Sequence, residues 1–191
     1  FIKNESENML SFNGEIYNYK SLKDFLITKK RKFITESDTE VLFESLETFG
    51  KDVYNHIKGI WAFVFYDYEN RNLILSRDLL GERHLFYAID GNEFIFASDP
   101  KAIIAVINNK EFDYLSSASS WMFHASQPGK TLIKSISRLL PGETISINAN
   151  KIKKSIHSKL NPKKWDDFFK ENSNLETVKN KFSELLQNSI D

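Results

Sequence analysis

Asn13-Gly14 is the dipeptide in this chain best suited to chemistry. An Asn side-chain amide and a Gly backbone N–H, side by side at the end of a strand, can converge on one developing oxyanion. Glycine also lets the backbone approach a small substrate, because it has no Cβ. Asn-Gly between apolar runs is equally the signature of a tight hairpin turn, and on its own the pair reads as that turn. Nucleophiles are scarce. The 191 residues contain no Cys, and no Gly-x-Ser-x-Gly elbow presents a serine. The four histidines have no metal-ligand spacing. Of these, His84 reads as a structural residue with its polar atoms satisfied, and Trp121 and Trp165 read as packing residues.

The elements that would position Asn13-Gly14 can be read from periodicity. Met9–Phe12 ends a short strand. Tyr19–Ile27 carries Leu22, Phe25 and Leu26 at helical spacing, with Asn18 as candidate N-cap. Ser37 or Asp38 caps a second helix that presents Val41, Leu42, Leu46 and Phe49 and stops at Gly50. A short helical segment follows at Val53–Ile57. Gly59–Tyr66 is almost continuously apolar and reads as a strand buried on both faces. Leu73–Ser76 returns as its partner. Leu85–Ile89 and Glu93–Ala97 form a hairpin around Asp90-Gly91-Asn92, and Pro100 opens a helix through Ile107. Strands are expected at Thr131–Ile133 and Glu143–Ile147. Residues 152–174, polar, Lys-rich and containing Pro162, read as a linker, and Leu175–Ile190 as a final amphipathic helix. Strands in hairpins with early helices indicate an α+β fold with antiparallel sheets.

Composition narrows the function classes. Hydrophobic residues make up 41% and aromatics 14%, with 16 Phe, enough for a sizeable core. Twenty-six basic and 26 acidic residues give a net charge of zero, so electrostatics supplies no reason for nucleic acid or an anionic membrane as partner. The cluster Lys29-Lys30-Arg31-Lys32 reads as a solvated connection. Without Cys, disulfides and thiolate metal sites within these residues are excluded. No apolar run reaches the length of a membrane span, and no signal peptide is visible. A cytoplasmic location is the expectation.

Six segments, in order, carry a resemblance. They are Phe12-Asn-Gly-Glu-Ile-Tyr-Asn-Tyr19, Ser37-Asp-Thr-Glu-Val-Leu42, Gly59-Ile-Trp-Ala-Phe-Val-Phe-Tyr-Asp67, Arg77-Asp-Leu-Leu-Gly81 with Leu85-Phe-Tyr87, Phe96-Ala-Ser-Asp-Pro-Lys-Ala102 and Leu139-Leu-Pro-Gly-Glu143. Together they resemble the glutaminase half of glutamine-hydrolysing asparagine synthetases, which are class II glutamine amidotransferases. The resemblance implies the N-terminal-nucleophile fold, a four-layer αββα sandwich of two antiparallel sheets. It also implies a reaction: an N-terminal cysteine hydrolyses the amide of glutamine, and the ammonia passes to a synthetase domain. There it attacks a carboxylate activated with ATP and Mg2+. On this likeness Asn13 and Gly14 form the oxyanion hole. Glu15 and Asp38 hold the amino-acid end of glutamine, a carboxylate being the natural partner of an ammonium group. Read without the family, Asp38 is a helix cap and Glu15 a solvent-facing charge. The Arg77-Asp78-x-x-Gly81 turn is expected to be structural, the Arg pairing with a carboxylate to brace the sheet or its contact with the synthetase domain.

The chain departs from the family in three ways. The nucleophilic Cys and an upstream Arg lie outside it, so it is expected to be an internal piece: a partial glutaminase domain over residues 1–151, a linker over 152–174, and the first helix of a synthetase domain over 175–191. The Ser-Gly-Gly pyrophosphate loop is also outside, so ATP and Mg2+ are implied only for the missing domain, and the chain itself calls for no metal or cofactor. Third, Gly81-Glu-Arg-His-Leu-Phe-Tyr87 replaces Gly-x-Lys-Pro-Leu-Tyr-Tyr. The expected partners are glutamine and the synthetase domain of the same polypeptide, with a homodimer possible. By itself the chain should hydrolyse glutamine only residually. The competing reading is a catalytically inactive glutaminase-like scaffold that packs against a synthetase domain or a partner subunit.

Overall fold

The structure, a computed structural model, describes residues 1–2, 7–149, 151–161, 163–172 and 174–190, the side chains of 164 and 190 excepted. Two units are distinguished by their internal contacts, residues 1–159 and 160–191.

In the first unit, β1 (Met9–Ile16), β2 (Gly59–Asp67), β3 (Asn72–Arg77), β7 (Glu143–Asn148) and β8 (Lys151–Ile156) form one sheet in the order β1-β2-β3-β7-β8. A smaller sheet, β5-β4-β6, is built from β4 (Phe86–Asp90), β5 (Glu93–Ala97) and β6 (Ile136–Arg138). All pairings are antiparallel.

Strand alternation divides the core into three seams. On one face of the large sheet, Leu10, Ile16, Trp61, Phe63 and Phe65 pack against α1 (Tyr19–Thr28) and α2 (Asp38–Phe49), through Leu22, Leu26, Val41 and Leu42. On the other face, Ala62, Val64, Leu75 and Ile145 meet Leu85, Tyr87 and Leu139 from the smaller sheet's side. The outer face of the smaller sheet puts Phe86, Ala88 and Ile136 on Ile103 and Ile107, which belong to α3 (Pro100–Val106) and the residue that ends it. The layers run α, β, β, α, as expected. β2, facing two seams, is buried on both sides, which explains its unbroken apolar run.

Several local expectations are corrected. Asn13-Gly14 is no turn: β1 continues through it to Ile16. Asn18 stands at the head of α1, but its side chain caps nothing. It donates to the His56 carbonyl (2.8 Å) and accepts from the Lys58 N–H (2.8 Å), tying α1 to the start of β2. The third strand of the smaller sheet is Ile136–Arg138, not Thr131–Ile133; Ile133 makes only an isolated bridge to Phe112. A further helix, α4 (Tyr114–Phe123), precedes it, and Trp121 on it is 85% exposed, so it is not a packing residue. The segment 152–174, expected as a linker, holds most of β8 and the helix α5 (Lys163–Glu171). Pro162 lies outside the described residues.

The second unit contains α5 and α6 (Leu175–Ile190). Trp165, Phe168, Phe169, Phe182, Leu185 and Leu186 line an apolar groove of about 520 Å3 within it.

Candidate active site

The parity of β1 organises the candidate site. Leu10 and Ile16 send their N–H groups away from β2, to the Phe1 carbonyl (2.9 Å) and to Asp38 Oδ2 (3.0 Å). Successive N–H groups of a strand alternate in direction, so Phe12 and Gly14, of the same parity, also direct theirs to this edge. β2 flanks one edge of β1; on the other edge Phe1–Ile2 bridges Met9–Leu10 and Asp38 meets Ile16, with the Gly14 N–H between these two contacts. The Gly14 N–H therefore stands outside the sheet ladder. Asn13, of the other parity, is exposed on the inter-sheet face, opposite Ala62. An amide side chain and an N–H outside the sheet ladder thus occur on adjacent residues at one corner.

Glycine at position 14 has a steric cause. A Cβ there would lie 2.2 Å from the Ile60 carbonyl oxygen and 2.8 Å from Trp61 Cα, both backbone atoms that cannot swing aside. Glu15 is exposed on the same face as Asn13, paired with Ile60.

Asp38 opens α2, but it is not the cap. Ser37, with extended backbone, accepts from the Thr39 N–H at 3.1 Å and takes that role. The Asp38 carboxylate is thereby released to dock on the end of β1, one oxygen on the Ile16 N–H and Oδ1 without a partner among the described residues. It meets the edge two residues beyond Gly14, a separation of about 7 Å along the strand. The four residues singled out in the sequence, Asn13, Gly14, Glu15 and Asp38, lie together at this corner.

Beside Asn13, a cavity of about 140 Å3 opens between the sheets, with Ser11, Phe96 and Ser98 in its walls. A second hollow of about 320 Å3 continues it toward Met9, sharing Ser11, Val64 and Phe96. Sequence reasoning assigned no role to Ser11 or Ser98. The one signal for Ser98 was its place in the Phe96–Ala102 segment.

The Arg77–Gly81 turn braces this architecture. Asp78 Oδ1 accepts from the N–H groups of Leu80, Gly81 and Glu82, and Oδ2 from those of Trp61 and Arg83. Contrary to expectation, Arg77 pairs with no carboxylate among the described residues. Its guanidinium donates to the carbonyls of Arg83 (2.6 Å), Leu139 (2.6 Å) and Gly81, and to His84 Nδ1 (2.9 Å). Because Arg can only donate, Nδ1 of His84 accepts and the ring is neutral. Burial lowers the His84 pKa first, then the charges of Arg77 and Arg138. The Glu82-Arg83-His84 departure thus joins the brace through two N–H groups, one carbonyl and one imidazole nitrogen. Gly81 is required: at φ +69 its Cβ would lie 2.8 Å from Arg77 Cζ.

No group of three or more His, Asp or Glu among the described residues could hold a metal ion. Among them, no helix is long and apolar enough to cross a membrane.

Comparisons with known proteins bear on the family and the fold. The family model described as "Glutamine amidotransferase domain" matches residues 1–158. Asparagine synthetase [glutamine-hydrolyzing] 3 of Bacillus subtilis (strain 168) is 34% identical over 140 residues, 72% of this chain and 23% of that protein. Asparagine synthetase [glutamine-hydrolyzing] 1 of the same organism is 30% identical over 136 residues, 71% of this chain and 22% of that protein. The chain therefore spans about a fifth of the length of these relatives. Among solved structures, the glutamine phosphoribosylpyrophosphate amidotransferase of B. subtilis superposes with a TM-score of 0.54 at 24% identity, covering 82% of this chain and 30% of that one, a likeness of fold. The chain belongs to the glutamine amidotransferase domain family.

Proposed function

We propose that this chain supplies the oxyanion hole and the amino-acid half-site of a cytoplasmic, glutamine-hydrolysing amidotransferase similar to asparagine synthetase. The observation that carries the reading is the edge of β1 that faces away from β2. It offers the Gly14 N–H next to the Asn13 amide, and the Asp38 carboxylate about 7 Å further along. Extended glutamine has its amide carbon about 5 Å from its amino nitrogen. With hydrogen-bond lengths added, the two ends reach the two sites.

In the reaction, Asn13 and Gly14 donate to the oxygen of the tetrahedral intermediate, where charge develops. Asp38 and Glu15 hold the α-ammonium group and orient the amide. The reaction also needs a nucleophilic thiol, which none of these 191 residues supplies. Ammonia then leaves for a synthetase domain of the same polypeptide, where ATP and Mg2+ activate a carboxylate. The partial glutaminase domain runs past residue 151 to take in β8, and α6 enters the synthetase domain.

Titration of the chain with L-glutamine, followed by amide NMR, tests the half-site. Shifts should concentrate at Gly14 and Ile16 and saturate, and Asp38→Asn should weaken binding at least ten-fold while still accepting the Ile16 N–H. No saturable shift, or equal binding by Asp38→Asn, would overturn the assignment.

A further inference from the structure

A second cleft lies on the opposite face of the large sheet, away from Asn13. The register aligns Ile74 with Ser146, Ser146 with Lys153, and Thr144 with Ser155, so these residues share the helix-facing side. Here the sheet is polar, and a cleft of about 280 Å3 separates it from the 3-10 turn Gly50–Asn55. Tyr54 and His157, stacked at 3.9 Å, contribute to its lining, and Thr144 bonds both (2.9 Å to the Tyr54 hydroxyl, 3.1 Å to His157 Nδ1).

The lining is rich in donors and lacks any carboxylate. Lys51 enters from the turn and Lys153 from β8. Neither has an ion-pair partner among the described residues. Asn72 uses its carbonyl oxygen to accept from Ser146 Oγ at 2.7 Å, which leaves its NH2 as a donor. Two like charges lining one cleft make its potential positive, and an anion there is attracted by both. A lysine on an edge strand ordinarily serves to keep the edge solvated. That role accounts for Lys153 but not for Lys51 facing it from another element.

We infer that this cleft binds a small anion bearing a phosphate or carboxylate group, held between Lys51 and Lys153 with the Asn72 amide and the Ser155 hydroxyl beside it. The site is independent of the glutamine reading, because it shares no residue with the β1 corner.

The test is a titration of the 191-residue chain at low ionic strength with inorganic phosphate and, separately, with acetate, read by amide NMR. Saturable shifts are expected at 50–55, Ser146, Lys153 and Ser155. The double variant Lys51→Gln/Lys153→Gln should weaken them at least ten-fold, and the control Lys20→Gln/Lys58→Gln should not. Saturation by phosphate alone assigns a phosphate ligand, by acetate alone a carboxylate. Absence of saturation with both anions, or equal loss in the control pair, would overturn the inference and leave a solvated sheet face.

Discussion

His157 makes stability depend on pH in a way that can be isolated. The ring is stacked between Tyr54 (3.9 Å) and, more distantly, Trp61 (5.9 Å), and its buried Nε2 has no hydrogen-bond partner. Burial pushes its pKa from 6.5 down to about 4, against an opposing pull from Asp78. The native state therefore binds this proton more weakly than the unfolded chain. Between the two values the unfolded chain holds more protons, so stability is full above 6.5 and falls as pH drops toward 4. The whole difference corresponds to about 3 kcal/mol, and about 2 kcal/mol remains once the ring's partial exposure is allowed for. Urea unfolding of the parent and of His157→Phe at pH 7.5, 6, 5 and 4 separates this residue from the carboxylates, which both proteins share. Phe keeps the stack on Tyr54 and removes the orphaned nitrogen. It gives up the Nδ1 contact with Thr144 but should gain about 2 kcal/mol relative to the parent between pH 7.5 and pH 4. Parallel curves would refute the reasoning.

Two further substitutions probe the frame of the site. Gly14→Ala drives a methyl group against the Ile60 carbonyl, 2.2 Å away, at a cost of about 1–3 kcal/mol. Differential scanning calorimetry should record a Tm lower by about 3–10 °C, and an unchanged Tm would contradict the close approach. Arg77→Met leaves the carbonyls of Gly81, Leu139 and Arg83 without their donor. Denaturant unfolding should show a loss of about 3–5 kcal/mol, whereas a loss below about 1 kcal/mol would mean that water replaces the guanidinium.

The sandwich was legible because hydrophobic periodicity follows burial. β2 reads as buried on both faces because it separates two seams, and α2 reads clearly because Val41, Leu42 and Leu46 lie in one of them. The misreadings have physical causes. β8 alternates Ile152, Lys154 and Ile156 with Lys151, Lys153 and Ser155, but lysine on both faces hides the two-residue period. α4, Tyr114–Phe123, contains four serines, weak helix formers that compete for the backbone, and so leaves little helical pattern. β6 is three residues long, too short to show a period. At the site, residue types were visible but directions were not. That the Gly14 N–H faces away from β2 follows from where Leu10 and Ile16 donate, and the Ile16 bond depends on Ser37 taking the cap so that Asp38 can reach β1. No local pattern encodes either fact.

The most direct test of the central claim is ammonia release from L-glutamine by the complete protein that carries this chain, compared with its Asn13→Ala variant. Loss of one oxyanion donor should lower kcat by about 10²–10³ with KM little changed. A parent protein that releases no ammonia, or a variant that matches its parent, would contradict an oxyanion hole at Asn13-Gly14 and leave the domain as a scaffold.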